Sequence, residues 1–124
     1  MHSYRRRRLT GWLAFLPIIA AAAPALLVSR AVRAAPAEHV LTLNHHELSK
    51  PDFKAKVGDR IRIVNGADIA HSIYVTYEDG RIVSLDTQLP GTEKSFVIET
   101  AGTVLLRCWI HPVIRQELEV TVAE

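Results

Sequence analysis

After residue 37 the chain reads as short stretches of alternating apolar and polar residues, cut by turn residues at intervals of about ten. The alternation predicts strands over Val40–Leu43, Arg60–Asn65, His71–Thr76, Arg81–Leu85, Ser95–Glu99, Thr103–Cys108 and Glu117–Val122. Gly58-Asp59, Asn65-Gly66, Asp79-Gly80, Pro90-Gly91 and Ala101-Gly102 supply the turns. No stretch after residue 37 sustains a 3.6-residue period, so the expected domain is a small all-β sandwich or barrel. The one long apolar run, Gly11 to Val28, lies before this pattern begins.

Alternation also fixes direction, because successive strand side chains face opposite ways. In Arg60-Ile61-Arg62-Ile63 the isoleucines face inward. In His71–Thr76 the inward set is Ile73 and Val75, which carries His71 with it. In Thr103–Cys108 it is Val104 and Leu106, which carries Cys108. Two metal-capable side chains from different strands therefore point toward the core.

The segment before the pattern has the order of an export signal. Arg5 to Arg8 form a basic start, the apolar run follows, and small residues end at Ala35-Pro36-Ala37, with Val32-Arg33-Ala34 as a second cleavage candidate. A cleaved leader over residues 1–37 and a domain over 38–124 are expected. An uncleaved anchor helix is the alternative, since the run approaches the roughly 18–20 residues of a membrane span, although Pro17 and Pro24 interrupt it. Either way the domain lies outside the cytoplasm, in a periplasmic setting. Losing the leader's six arginines leaves nine basic residues against 13 acidic ones, a formal charge of −4 in place of +2. No basic stripe with interleaved aromatics follows residue 38, so nucleic-acid binding is not expected.

The remaining 87 residues suffice for one core and contain a single cysteine, Cys108. No partner exists within the chain for a disulfide. His111 follows Cys108 at a spacing that lets sulfur and imidazole converge on one ion, and His71 arrives from an earlier strand. One thiolate and two imidazoles are the trigonal ligand set of a blue-copper centre, whereas structural zinc normally takes four ligands. Taken singly, an inward cysteine is most often a small hydrophobe and a strand histidine a hydrogen-bonded structural residue. The three together in an exported domain point to metal. A thiol–imidazole pair also raises cysteine nucleophile catalysis, but no oxyanion loop or orienting third group accompanies it.

Phe53-x-x-x-Val57-Gly58-Asp59, a strand ending at Asn65, Asp68-x-x-His71-Ser72, Pro90-Gly91, Ala101-Gly102-Thr103 and Cys108-Trp109-Ile110-His111-Pro112 recur in an order that resembles the cupredoxins, amicyanin and plastocyanin in particular. The resemblance covers nearly all of residues 38–124. It implies a Greek-key β-sandwich of about eight strands, one copper ion on His71, Cys108 and His111, single-electron transfer without enzyme activity, and a redox partner docking near His111 with Pro112, Val113, Ile69 and Pro90 around it. A monomer is expected. The alternatives are a copper carrier or sensor and a metal-free binding module.

By the same resemblance an axial methionine belongs three residues after His111, where this chain has Ile114. Either Ile114 lines an open axial position, or Gln116 supplies an oxygen, or copper has been lost. Two residues along a strand is about 6.6–6.8 Å, so Gln116 needs a bulge to fill the slot of residue 114. Asn65 resembles the asparagine that ties the ligand loops together, and the Ser72 N–H is the natural donor to the Cys108 sulfur. Trp109, between two ligands, reads as packing over the site. His45 and His46, read as strand neighbours, face opposite ways and are expected to be solvated.

Overall fold

The alternating segments become eight strands in two sheets in a computed structural model of the chain, which describes residues 11, 14, 16–26 and 35–123. They are β1 (Glu38–Leu43), β2 (Ala55–Lys56), β3 (Arg60–Asn65), β4 (His71–Thr76), β5 (Ile82–Gln88), β6 (Glu93–Val97), β7 (Gly102–Cys108) and β8 (Arg115–Thr121). A three-stranded sheet has the order β1-β3-β6 and a five-stranded sheet the order β2-β8-β7-β4-β5. The chain changes sheet between β1 and β2, β2 and β3, β3 and β4, β5 and β6, and β6 and β7.

One apolar cluster fills the space between the sheets. Leu41, Leu43, Ile61, Ile63 and Phe96 come from the smaller sheet, and Ile73, Val75, Val104, Leu106, Leu118 and Val120 from the larger. These are the inward positions of the alternation. Burial of their apolar surface is the main force holding the sheets together.

Two departures from the sequence reading have physical causes. β2 is only two residues long, too short to show a period, and exists because Ala55 and Lys56 pair in parallel with Val120 and Thr121. β5 runs on past Leu85 to Gln88 through a bulge. Ser72 pairs with Thr87 but Tyr74 with Ser84, so β5 carries one extra residue. Asp86, at φ 60°, absorbs it. A bulge reverses the parity of every later residue, which is why the alternation hides Gln88.

Of the apolar run expected to form the N-terminal helix, residues 12, 13, 15, 27 and 28 lie outside the described ones, and residues 16–26 are not helical. Among the described residues no helix is long and apolar enough to cross a membrane.

Candidate metal centre

His71 opens β4 and Cys108 closes β7, and these strands are antiparallel neighbours in the larger sheet. The register sets Ile73 opposite Cys108, so His71 and Cys108 lie at the same end and on the same inner face. Both are buried, as parity predicts. Beyond Cys108 the ladder continues for one bond, Trp109 N to Ser72 O at 3.0 Å, and the chain then turns. The turn closes with Ile114 N donating to His111 O at 3.0 Å. That fold-back returns the His111 imidazole to the other two groups.

The three donor atoms form a nearly regular triangle. Cys108 Sγ lies 3.8 Å from His71 Nδ1 and 3.9 Å from His111 Nδ1, and the two nitrogens are 3.2 Å apart. A point equidistant from all three vertices is about 2.1 Å from each, the bond length of a first-row transition ion to nitrogen and slightly under that to sulfur. The donor set therefore fits a metal of that size in a trigonal plane. Among the described residues this is the one such grouping of three or more His, Cys, Asp or Glu side chains.

The surroundings of His71 favour a neutral imidazole. Burial holds the His71 pKa below its ordinary value, and the neighbouring His111 and His45 push the same way, against the Asn44 carbonyl. A neutral imidazole leaves the Nδ1 lone pair free, as a ligand must. Ser72 N donates to Cys108 Sγ at 3.3 Å, as the sequence suggested, giving the sulfur a fixed positive dipole.

Asn65 acts differently from the resemblance. Its Nδ2 donates to Ile69 O at 2.9 Å and Gln88 O at 3.1 Å, and its Oδ1 accepts from Ala67 N at 3.0 Å. It ties the 66–70 turn that leads into His71 to the end of β5, not to the Cys108 loop. Gln88, which the sequence reading missed, is buried and pairs in register with His71. Its Nε2 bonds Ile63 O and Thr92 O, both at 2.8 Å, joining the two sheets beneath the site.

Ile114 is fully buried. Gln116 is half-buried, faces Leu106 in register, and has its Nε2 on Glu117 O at 3.3 Å. The turn around His111 is apolar: Ile110 is 50% exposed and Val113 71%. Trp109 stacks on Tyr74 at a centroid distance of 3.8 Å, on the outer face of the sheet and not over the site.

Comparison with known proteins adds the lineage. The chain is 54% identical over 94 residues to the methylamine utilization protein MauL of Methylorubrum extorquens, covering 76% of this chain and 82% of that protein. It belongs to the MauL family. MauL of Methylophilus methylotrophus is 38% identical over 128 residues, covering 94% of this chain and 74% of the relative. No protein-family model matches the chain. Among solved structures, a reduced tryptophan-to-tyrosine mutant of amicyanin superposes with a TM-score of 0.60 at 20% identity, covering 68% of this chain and 82% of that one. A Cu(I) methionine-to-glutamine mutant of amicyanin gives the same values. This MauL-family chain thus has the cupredoxin-like fold, in agreement with the sequence resemblance.

Proposed function

We propose that this MauL-family protein is an exported type 1 copper protein that carries single electrons, with His71, Cys108 and His111 as the equatorial ligands of one ion. The observation that carries the reading is the triangle of one sulfur and two Nδ1 atoms, sized for a first-row ion. Bound copper would supply a Cu(II)/Cu(I) couple. The chain's own residues do the rest: β4 and β7 hold two ligands rigid, the Ser72 N–H moderates charge on the sulfur, and burial keeps water from the thiolate. Ile114, fully buried, would offer a bound ion no donor where the resemblance expects methionine, and the Gln116 amide is engaged with the Glu117 carbonyl. Fewer axial donors favour Cu(I), the less charged state.

His111 is the half-exposed edge of the site, and the apolar surface around it suits transient docking of a redox partner. The name of the MauL relatives supports a partner from methylamine utilization, and in this reading a leader over residues 1–37 directs residues 38–124 to the periplasm. Burial of Cys108, 2% exposed, argues against a cysteine nucleophile, because no substrate carbon could approach the sulfur.

Titration of residues 38–124 with Cu(II), followed by visible and EPR spectroscopy, tests the reading. An intense thiolate-to-copper band that vanishes in Cys108→Ser is expected. Copper binding without that band would favour a carrier or sensor, and absence of binding would leave a metal-free docking module.

A further inference from the structure

Strand β3 ends on a chemically labile pair, Asn65-Gly66. With no side chain beside it, a glycine nitrogen in a free backbone attacks the amide carbon of a preceding asparagine, which then loses ammonia. The folded chain blocks each requirement of that attack. Asn65 is fully buried, its Nδ2 donates to Ile69 O and Gln88 O, and its Oδ1 accepts from Ala67 N. Its backbone is held as well, with Asn65 N donating to Thr92 O at 3.0 Å and Asn65 O accepting from Gly91 N at 2.9 Å. The attacking group is also engaged, because Gly66 N donates to Leu43 O at 2.9 Å.

The fold explains why two such residues stand together. Asn65 carries the tether between β5 and the 66–70 turn. A Cβ at position 66 would lie 3.3 Å from both Leu43 O and Thr42 Cγ2, so β1 would have to give way to any larger residue. Tether and close approach each fix one residue of the pair.

We propose that Asn65 is a modification site of the opened chain, deamidated when the 66–70 turn detaches from β1 and β5, and that this is a one-way exit from the native state. The bond from Gly66 N to Asn65 Cγ forms and the Cγ–Nδ2 bond breaks. The amide leaves as ammonia with the Gly66 proton, and water then opens the cyclic imide to aspartate or isoaspartate. An aspartate there would set a buried carboxylate against the Ile69 and Gln88 carbonyl oxygens, which have no proton to give it. An isoaspartate lengthens the main chain by one carbon just before the turn that leads into His71.

The test holds the full chain at neutral pH in buffer and in denaturing urea, and follows the peptide containing residue 65 by mass spectrometry. Asn65 should convert in urea ahead of Asn44, which precedes a histidine, and at least about a hundredfold more slowly in buffer. Gly66→Ala should slow the reaction in urea at least about tenfold, because a Cβ crowds the attacking nitrogen. That comparison is made on unfolded chains and does not depend on whether the variant folds. Asn65→Asp should fail to refold or unfold at clearly lower urea. No conversion in urea overturns the site, equal rates in urea and buffer overturn the protection, and an unchanged urea midpoint in Asn65→Asp overturns the one-way exit.

Discussion

The backbone N–H of Ser72 points at the sulfur of Cys108, 3.3 Å away, instead of joining a strand ladder. The same residue's carbonyl accepts from Trp109 N at 3.0 Å, so Ser72 grips both sides of the Cys108-Trp109 peptide. A donor on a thiolate withdraws charge from it and weakens its donation to an oxidised metal. Ser72→Pro removes that donor without deleting any side chain of the site. With copper bound, the expected result is a lower reduction potential and a shifted thiolate-to-copper band. Voltammetry and visible spectroscopy check this, and an unchanged potential would show that the contact does not tune the sulfur.

Asn65 secures the approach to His71 through three hydrogen bonds in a fully buried position. Asn65→Ala would leave the Ile69 and Gln88 carbonyls and the Ala67 N–H without this partner. A loss of about 2–4 kcal/mol in unfolding free energy is expected from deleting buried partners of this kind. Urea denaturation measures it. A loss below about 0.5 kcal/mol would mean that the 66–70 turn holds itself without Asn65.

Much of this was legible from the chain because inward and outward positions alternate cleanly in β3, β4 and β7. That pattern alone turned His71 and Cys108 to one interior, and both side chains are buried there. What escaped the sequence is what alternation cannot carry. β2 is too short to have a period, Asp86 reverses parity ahead of Gln88, and the Asn44 turn removes His45 and His46 from any strand. Asn65 shows a further limit: its identity signalled a buried tether, but only the hydrogen bonds reveal that it ties down β5.

Stability should fall in acid at the end of the sandwich where β1 begins. Burial works against the charge on Asp59, but hydrogen bonds from His39 Nε2 at 2.9 Å and from Ala37 N and Lys56 N, both at 3.0 Å, hold its pKa below the ordinary 3.8. A carboxyl with a depressed folded-state pKa favours the folded state fully above its unfolded value. That contribution disappears as pH falls through the folded value. The Asp59 contribution is therefore constant near neutrality and lost below about pH 4. Thermal melts between neutral pH and pH 3 on the wild type and Asp59→Asn should converge at the acid end. A constant gap at every pH would dissociate the carboxylate from the effect.

Position 114 separates the two accounts of the axial direction. Ile114 is fully buried behind the turn that carries His111, and Gln116 has its amide on the Glu117 carbonyl. Ile114→Met nearly conserves volume, so its stability cost should stay under about 1.5 kcal/mol. It introduces a thioether at the proposed axial position, and a weak axial donor would stabilise Cu(II) relative to Cu(I). The copper form of Ile114→Met should show a lower reduction potential and a changed EPR spectrum. Gln116→Ala should leave both as they are, because its side chain is turned to the strand and not to the metal. If Gln116→Ala shifts the spectrum while Ile114→Met does not, the axial oxygen comes from Gln116, and β8 must bend inward at that residue when the site is loaded.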